Sequence, residues 1–159
     1  MTAIRPARAE EAESIRSLVR AAYALYVPRV GREPSPMTDD YAAQIAAGIV
    51  WAIVDEGELA GVIVLEDTPE ALQVANIAVR PERQGRGLGR RLLAFADDEA
   101  RRRGYLAVIL YTNIHMAENL ARYPALGYVE VGRGNEHGFD RVFFRKELTG
   151  GGDVAAPAR

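Results

Sequence analysis

Residues 79–93 read Val79-Arg80-Pro81-Glu82-Arg83-Gln84-Gly85-Arg86-Gly87-Leu88-Gly89-Arg90-Arg91-Leu92-Leu93, and this stretch decides the fold. Before it, Ala71 to Val79 has the length and apolar character of a strand. After it, Leu88, Leu92, Phe95, Ala96 and Ala100 recur at helical steps until Gly104. A strand therefore runs into a loop with three glycines spaced by two, then into an amphipathic helix from about Gly87 to Arg103. Glycines let the backbone come close to a ligand and turn several N–H groups toward it. A helix N-terminus adds unpaired donors and positive dipole charge. The combination is an anion cradle suited to phosphate or pyrophosphate. Arg83, Arg86, Arg90 and Arg91 are expected to supply side-chain charge.

Two other nucleotide-binding patterns fit poorly. A Walker loop needs Gly-Lys-Ser/Thr, and the only lysine in the chain is Lys146. A dinucleotide fingerprint begun at Gly85 needs a glycine where Arg90 stands. It also needs an acid at the end of the next strand, where Tyr111-Thr112-Asn113 stands.

Working outward, the chain opens with a short strand, Thr2 to Pro6. Ile15, Leu18, Val19, Ala22, Leu25 and Tyr26 then predict one apolar helix face, with Glu10, Glu11 and Glu13 near the helix start. The helix is expected to stop before Pro28. Pro28 to Asp40 holds three prolines and a glycine and reads as a long loop. Tyr41 to Ala47 predicts a short helix, closed by Gly48. Ile49 to Asp55, Glu58 to Glu66 and Ala71 to Val79 are separated by short turns, which implies an antiparallel meander. Beyond the long helix come a strand at Leu106 to Tyr111, a helix at Met116 to Ala125, and strands at Tyr128 to Arg133 and Arg141 to Glu147. This order favours an α/β or α+β single sheet with helices on both faces. One domain over residues 1–148 is expected, with Thr149 to Arg159 as a disordered tail.

Composition excludes several classes. The 20 basic and 22 acidic residues give a net charge of −2, so no global field draws the chain to nucleic acid or an anionic membrane. Cysteine is absent, which removes disulfides, thiolate nucleophiles and thiolate metal sites. His115 and His137 are too far apart in sequence for a His-x-x-x-His metal pair. Ser14, Ser17 and Ser35 are the only serines, and none sits in Gly-x-Ser-x-Gly. The first eight residues lack an apolar signal core, and no apolar run is long enough to span a bilayer, so the cytoplasm is the expected compartment.

The run Gln84-Gly85-Arg86-Gly87-Leu88-Gly89, flanked by Ile77-Ala78-Val79 and Leu92-Leu93, resembles the Gln/Arg-x-x-Gly-x-Gly/Ala motif of the GNAT N-acetyltransferase superfamily. Tyr123-Pro124-Ala125-Leu126-Gly127-Tyr128 resembles its Tyr-x-x-x-Gly-Phe/Tyr signature. The resemblance implies a single mixed, mostly antiparallel sheet of six to seven strands. About four helices would flank it, and its central strands would splay. It implies acetyl-CoA as donor, a primary amine as acceptor and direct transfer between them. It also implies backbone binding of the CoA pyrophosphate across Gln84, Gly85, Arg86, Gly87, Leu88, Gly89 and Arg90. Ile77, Ala78 and Val79 would bind the pantetheine arm, and a backbone N–H there would polarise the thioester carbonyl.

By the same resemblance Tyr123 is the general acid that protonates the departing thiolate. The last helix departs from the family's Asn-x-x-Ala-x-x-Leu/Phe-Tyr pattern, with Met116 and Asn119 at its first two defined positions and Arg122 before the tyrosine. Asn119, one turn before Tyr123, is expected on the cofactor side. The strand before the glycine loop holds no acid; Gln73 and Asn76 are its only polar residues. Glu66, Glu118 and His115 are candidate bases, and none is assigned. Tyr26, Arg29, Arg32, Met37 and Tyr41 are candidates for the acceptor site, with Tyr26, Arg29 and Tyr41 foremost. Arg29 or Arg32 would pair an acidic group on the acceptor. A homodimer is compatible with the sequence. Two alternatives stay open: a non-enzymatic acyl-CoA-binding module, motivated by the missing base, and a nucleotide-binding oxidoreductase, motivated only by the glycines.

Overall fold

A computed structural model of the chain describes residues 1–149. The rest of the expected tail, residues 150–159, lies outside the described residues. Seven strands form one sheet: β1 (Thr2–Pro6), β2 (Val50–Asp55), β3 (Glu58–Asp67), β4 (Leu72–Val79), β5 (Ala107–Asn113), β6 (Val129–Glu136) and β7 (Phe139–Glu147). Their order is β1-β2-β3-β4-β5-β7-β6. The helices are α1 (Ala12–Tyr23), a single turn α2 (Val27–Val30), α3 (Tyr41–Ala46), α4 (Leu88–Arg102) and α5 (Ala117–Ala125). β4 and β5 pair in parallel, with Leu72 opposite Val108, Gln73 opposite Ile109 and Val74 opposite Leu110. The other ladders described, β1 with β2, β2 with β3, β5 with β7 and β6 with β7, are antiparallel.

The chain divides into two compact units. The first comprises Met1–Leu65 and Ala75–Leu93. Its core gathers Ile15, Leu18, Val19 and Ala22 of α1 with Tyr41, Val50, Val62, Val64 and Ala78. The α1 residues sit at i, i+3, i+4 and i+7, the spacing of one helix face. Burial along β4 alternates, so Leu72, Val74, Asn76 and Ala78 share the buried parity. The second unit comprises Glu66–Val74 and the chain from Ala94. Its buried side chains include Val108 and Leu110 of β5, Val142 and Phe144 of β7, and Ala96 and Ala100 of α4.

Three expectations need correction. α1 does end before Pro28, but Pro28 itself falls in the first turn of a separate helical turn, α2, where its missing N–H costs no bond, and Gly31 closes that turn. The stretch from Pro28 to Asp40 therefore carries α2 and a 3₁₀ turn at Ser35–Thr38 rather than a plain loop. The helix face also ends earlier than periodicity suggested. Ala24–Tyr26 is a 3₁₀ turn, which changes the phase and leaves Leu25 exposed. Finally, β6 and β7 extend to a two-residue turn at His137-Gly138, both at positive φ. That geometry suits a tight hairpin.

Charge pairing sets the expected pH response. The carboxyls of Glu11, Asp55, Asp67 and Glu99 all lie below the ordinary carboxylate range. Arg5 hydrogen-bonds Glu11, and Arg102 and then Arg103 bond Glu99. Asp55 is held first by the Thr2 hydroxyl and then by Arg83. Asp67 is held by Arg103 and then by Tyr105. A carboxyl depressed in the fold stabilises it fully above the unfolded value near ~4 and loses that contribution as pH falls. Melting temperature should thus decline steadily as pH drops below about 5. A melting temperature flat down to pH ~2.5 would show these pairs to be energetically idle.

Candidate functional site

β4 ends at Val79, and the N–H of Arg80 donates to Ala60 O at 2.8 Å. A 3₁₀ turn, Pro81–Arg83, leads to an extended Gln84, whose Nε2 donates to Val79 O at 3.0 Å. Gln84 thus braces the loop against the strand it leaves. Gly85 and Gly87 follow at φ 83° and 81°. A Cβ at either position would meet nothing within 4 Å. Glycine is required there by the left-handed backbone, and the space beside it is open. The first helical bond of α4 runs from Arg91 N–H to Gly87 O at 3.0 Å. The six backbone N–H groups from Gly85 to Arg90 find no acceptor among the described residues. The first three helical amides have no intrahelical partner by geometry, and the glycine turns supply the rest.

The arginines divide into two kinds. Arg83 is committed to structure: it pairs with Asp55 at 3.0 Å and Glu58 at 2.6 Å, and also donates to Asp55 O. It ties the loop to the β2–β3 hairpin and is not part of the charge expected for an anion. Arg86 is exposed, 4.0 Å from Asp55. Arg90 and Arg91 are exposed and have no ion pair among the described residues. On β4, Ala78 is buried while Ile77 and Val79 are half-buried. A Cβ at Gly61 of β3 would stand 2.7 Å from Ala78 O, so β3 approaches the site strand more closely than a side chain would allow.

The expected acceptor residues lie in the same unit. Arg29 stands 5.3 Å above the Tyr26 ring, and Tyr26 meets Tyr23 edge-on at 6.2 Å. Tyr41 is buried. It is 3% exposed, accepts from Asn76 Nδ2 at 2.9 Å and donates to Pro36 O at 2.5 Å. Burial, then the charge of Asp39, pushes its phenol well above the ordinary range. The Tyr41 hydroxyl is thus engaged on both sides, by Pro36 O and by Asn76. Sequence reasoning missed Tyr23 and Asn76. Tyr23 donates to Asn76 Oδ1 at 2.9 Å, with Ile77 O at 3.3 Å. The available signal was a lone asparagine at buried parity in an apolar strand, which must find hydrogen-bond partners.

In the second unit Tyr123 is 6% exposed on α5. Its ring meets Tyr128 at 5.6 Å and Phe144 at 5.7 Å. Asn119 turns to β5, donating to Thr112 Oγ1 at 3.1 Å. Burial, then Asp97, pushes the Tyr128 phenol well up, so it stays neutral. Asp97 is itself paired with Lys146 at 2.6 Å. Glu66, Glu118 and His115 are all exposed, and none is built into a buried site. Among the described residues no helix is long and apolar enough to cross a membrane.

A model of the acetyltransferase (GNAT) family matches residues 12–128. An IAA acetyltransferase of Azospirillum brasilense is 35% identical over 78 residues, 48% of this chain and 51% of that protein. The [Ribosomal protein bS18]-alanine N-acetyltransferase of Escherichia coli is 32% identical over 81 residues, 51% of this chain and 55% of that protein. The chain spans about half the length of the curated relatives it matches. Among solved structures, the PaiA N-acetyltransferase of Thermoplasma acidophilum, in complex with coenzyme A, superposes with a TM-score of 0.79 at 17% identity. That alignment covers 93% of this chain and 99% of that one.

Proposed function

The chain belongs to the acetyltransferase (GNAT) family, and on that footing we propose that it moves the acetyl group of acetyl-CoA directly to a primary amine of a small molecule or peptide. The observation that carries this reading is the run of six unsatisfied N–H groups from Gly85 to Arg90, with Arg90 and Arg91 uncommitted beside it. Such a run fits a pyrophosphate, which offers acceptor oxygens and negative charge to converging donors. Ile77, Ala78 and Val79 would bond the pantetheine arm along β4. One N–H of that strand would polarise the thioester carbonyl, lowering the cost of negative charge on its oxygen.

In the transfer a neutral amine attacks the carbonyl carbon. A C–N bond forms, the C–S bond breaks and the nitrogen releases one proton. Tyr123 gives its hydroxyl proton to the departing sulfur and is reprotonated from solvent. Tyr26 and Arg29 supply an aromatic and cationic wall for the acceptor. No side chain is assigned as base; water and backbone carbonyls suffice to relay the amine proton. The reading carries the cytoplasm as compartment. A homodimer remains compatible with it.

The exposure of Glu66, Glu118 and His115 favours a second reading, a module that binds acyl-CoA without turnover. One experiment separates the two. Acetyl-CoA is titrated by calorimetry, and the protein is then offered acetyl-CoA with a panel of amines: alanine peptides with a free amine, arylalkylamines, polyamines and amino acids. Binding with turnover of at least one amine is expected. Binding without turnover would favour the module, and no binding at high-micromolar acetyl-CoA would remove both readings.

A further inference from the structure

The six N–H groups from Gly85 to Arg90 make no bond among the described residues, so no bond within the run fixes where they point. Gly85 and Gly87, both at positive φ, widen the choice, because glycine has the most conformational freedom to lose. The run is fixed instead from its two ends. At the far end α4 begins. At the near end the ties that leave the loop go to the neighbouring strands. β2 and β3 change register there: Ile53 faces Gly61 while Val54 faces Leu59, so Ala60 has no residue opposite it on β2. A bulge re-aims backbone groups. Arg80 uses this stretch, donating its N–H to Ala60 O at 2.8 Å and its Nε–H to Leu59 O at 2.6 Å.

Arg83 is the side chain that carries the hold furthest along the loop. Its guanidinium donates to Asp55 O at 2.9 Å, Asp55 Oδ2 at 3.0 Å and Glu58 Oε1 at 2.6 Å. The group is planar, so three bonds to two residues fix its orientation as well as its place. Asp55 is held in turn: it is buried, and its Oδ1 accepts from Thr2 Oγ1 of β1 at 3.0 Å. The one other cation within 4.0 Å of this carboxylate among the described residues is Arg86, which stands between the two glycines. A buried carboxylate that loses its partner seeks another. Without Arg83, Asp55 would draw Arg86 inward and turn the flanking amides with it.

We infer that Asp55 and Arg83 are positioning residues for the acetyl donor: through their ion pair the β2–β3 hairpin holds the six amides in the arrangement that receives the pyrophosphate of acetyl-CoA. The inference rests on the acetyl-CoA reading of that loop. Neither side chain touches the donor. Their contribution is to leave the loop less freedom to lose when the donor binds.

The test measures acetyl-CoA affinity by calorimetry. Arg83→Met keeps an apolar stem and removes the three bonds. It should raise the Kd for acetyl-CoA about 5- to 10-fold, the order of one backbone residue's freedom. Asp55→Asn keeps an acceptor for Thr2 and removes the charge, and should raise the Kd about 3- to 5-fold. Added to Arg83→Met, it should raise the Kd no further, because the two act through one ion pair. S-acetylpantetheine has the thioester arm and no pyrophosphate. Its affinity, measured by displacement of acetyl-CoA, should stay within about twofold in every variant. Arg5→Met is the control: it removes a comparable pair, with Glu11 at 2.7 Å, in the same unit and with no bond to the loop. Its acetyl-CoA Kd should also stay within about twofold. A merely structural role would weaken acetyl-CoA and S-acetylpantetheine alike, which would overturn the inference. An unchanged acetyl-CoA Kd in a folded Arg83→Met protein also overturns it and leaves the acetyl-CoA reading standing. If Arg83→Met does not fold, Asp55→Asn decides alone: an unmoved Kd overturns the inference. Absence of acetyl-CoA binding by the wild-type protein removes the acetyl-CoA reading, and this inference with it.

Discussion

Tyr123→Phe should lower kcat by roughly 10²-fold or more, the range expected when a general acid is removed. The Tyr123 ring meets Tyr128 edge-on at 5.6 Å and Phe144 at a tilt at 5.7 Å, and phenylalanine keeps that ring. The backbone carbonyl that accepts from Leu126 and Tyr128 is untouched. The hydroxyl removed is the one proposed to protonate the departing sulfur. Acetyl-CoA affinity should move far less, because one hydrogen bond is worth about 1 kcal/mol net. A purely structural Tyr123 predicts the opposite division, with turnover preserved and the loss seen in a denaturation curve. Near-wild-type turnover with chemistry rate-limiting would take Tyr123 out of the mechanism.

Gly87→Val should raise the Kd for acetyl-CoA at least tenfold. Two effects are superimposed. The residue sits at φ 81°, so a branched side chain pays backbone strain of roughly 1–2 kcal/mol wherever such a glycine is replaced. The new side chain also projects into space that the protein leaves open, beside the six unsatisfied amides. Keeping the pyrophosphate from even one or two of those donors forfeits about 1.5–3 kcal/mol each. Gly104, at φ 88° and likewise with open space around its missing Cβ, isolates the first effect at the other end of α4. Gly104→Val should lose stability to a similar degree and keep its affinity. A folded Gly87→Val protein with unaltered acetyl-CoA affinity would contradict the loop assignment.

Elements marked by burial were legible in the sequence. The strand expected at Ile49 to Asp55 is observed at Val50–Asp55, and the helix expected from Gly87 to Arg103 at Leu88–Arg102. Both carry an apolar period that packing enforces. β6 was read short, to Arg133, because it is almost wholly exposed to Glu136 and no buried face dictates its pattern. The glycine loop could be read because its requirement is local: positive φ at Gly85 and Gly87, then a helix start. Side-chain commitments were not legible, because they depend on residues distant in sequence. Arg83 looked like loop charge until Asp55, 28 positions earlier, claimed it. Asn76 meets Tyr23 and Tyr41 across 53 and 35 positions, so its purpose exists only in the folded chain.

The pairing of Lys146 with Asp97 has a chemical corollary. Among the 20 basic side chains this is the one ammonium; the others are guanidiniums, which hold their protons at any working pH and do not act as nucleophiles toward thioesters. Its nitrogen lies 2.6 Å from a carboxylate, with three-quarters of the side chain covered. A protonated, ion-paired amine has no lone pair to offer. On the transferase reading, the one side-chain amine of the chain is thus held in an ion pair, where it is a poor target for the activated acyl group.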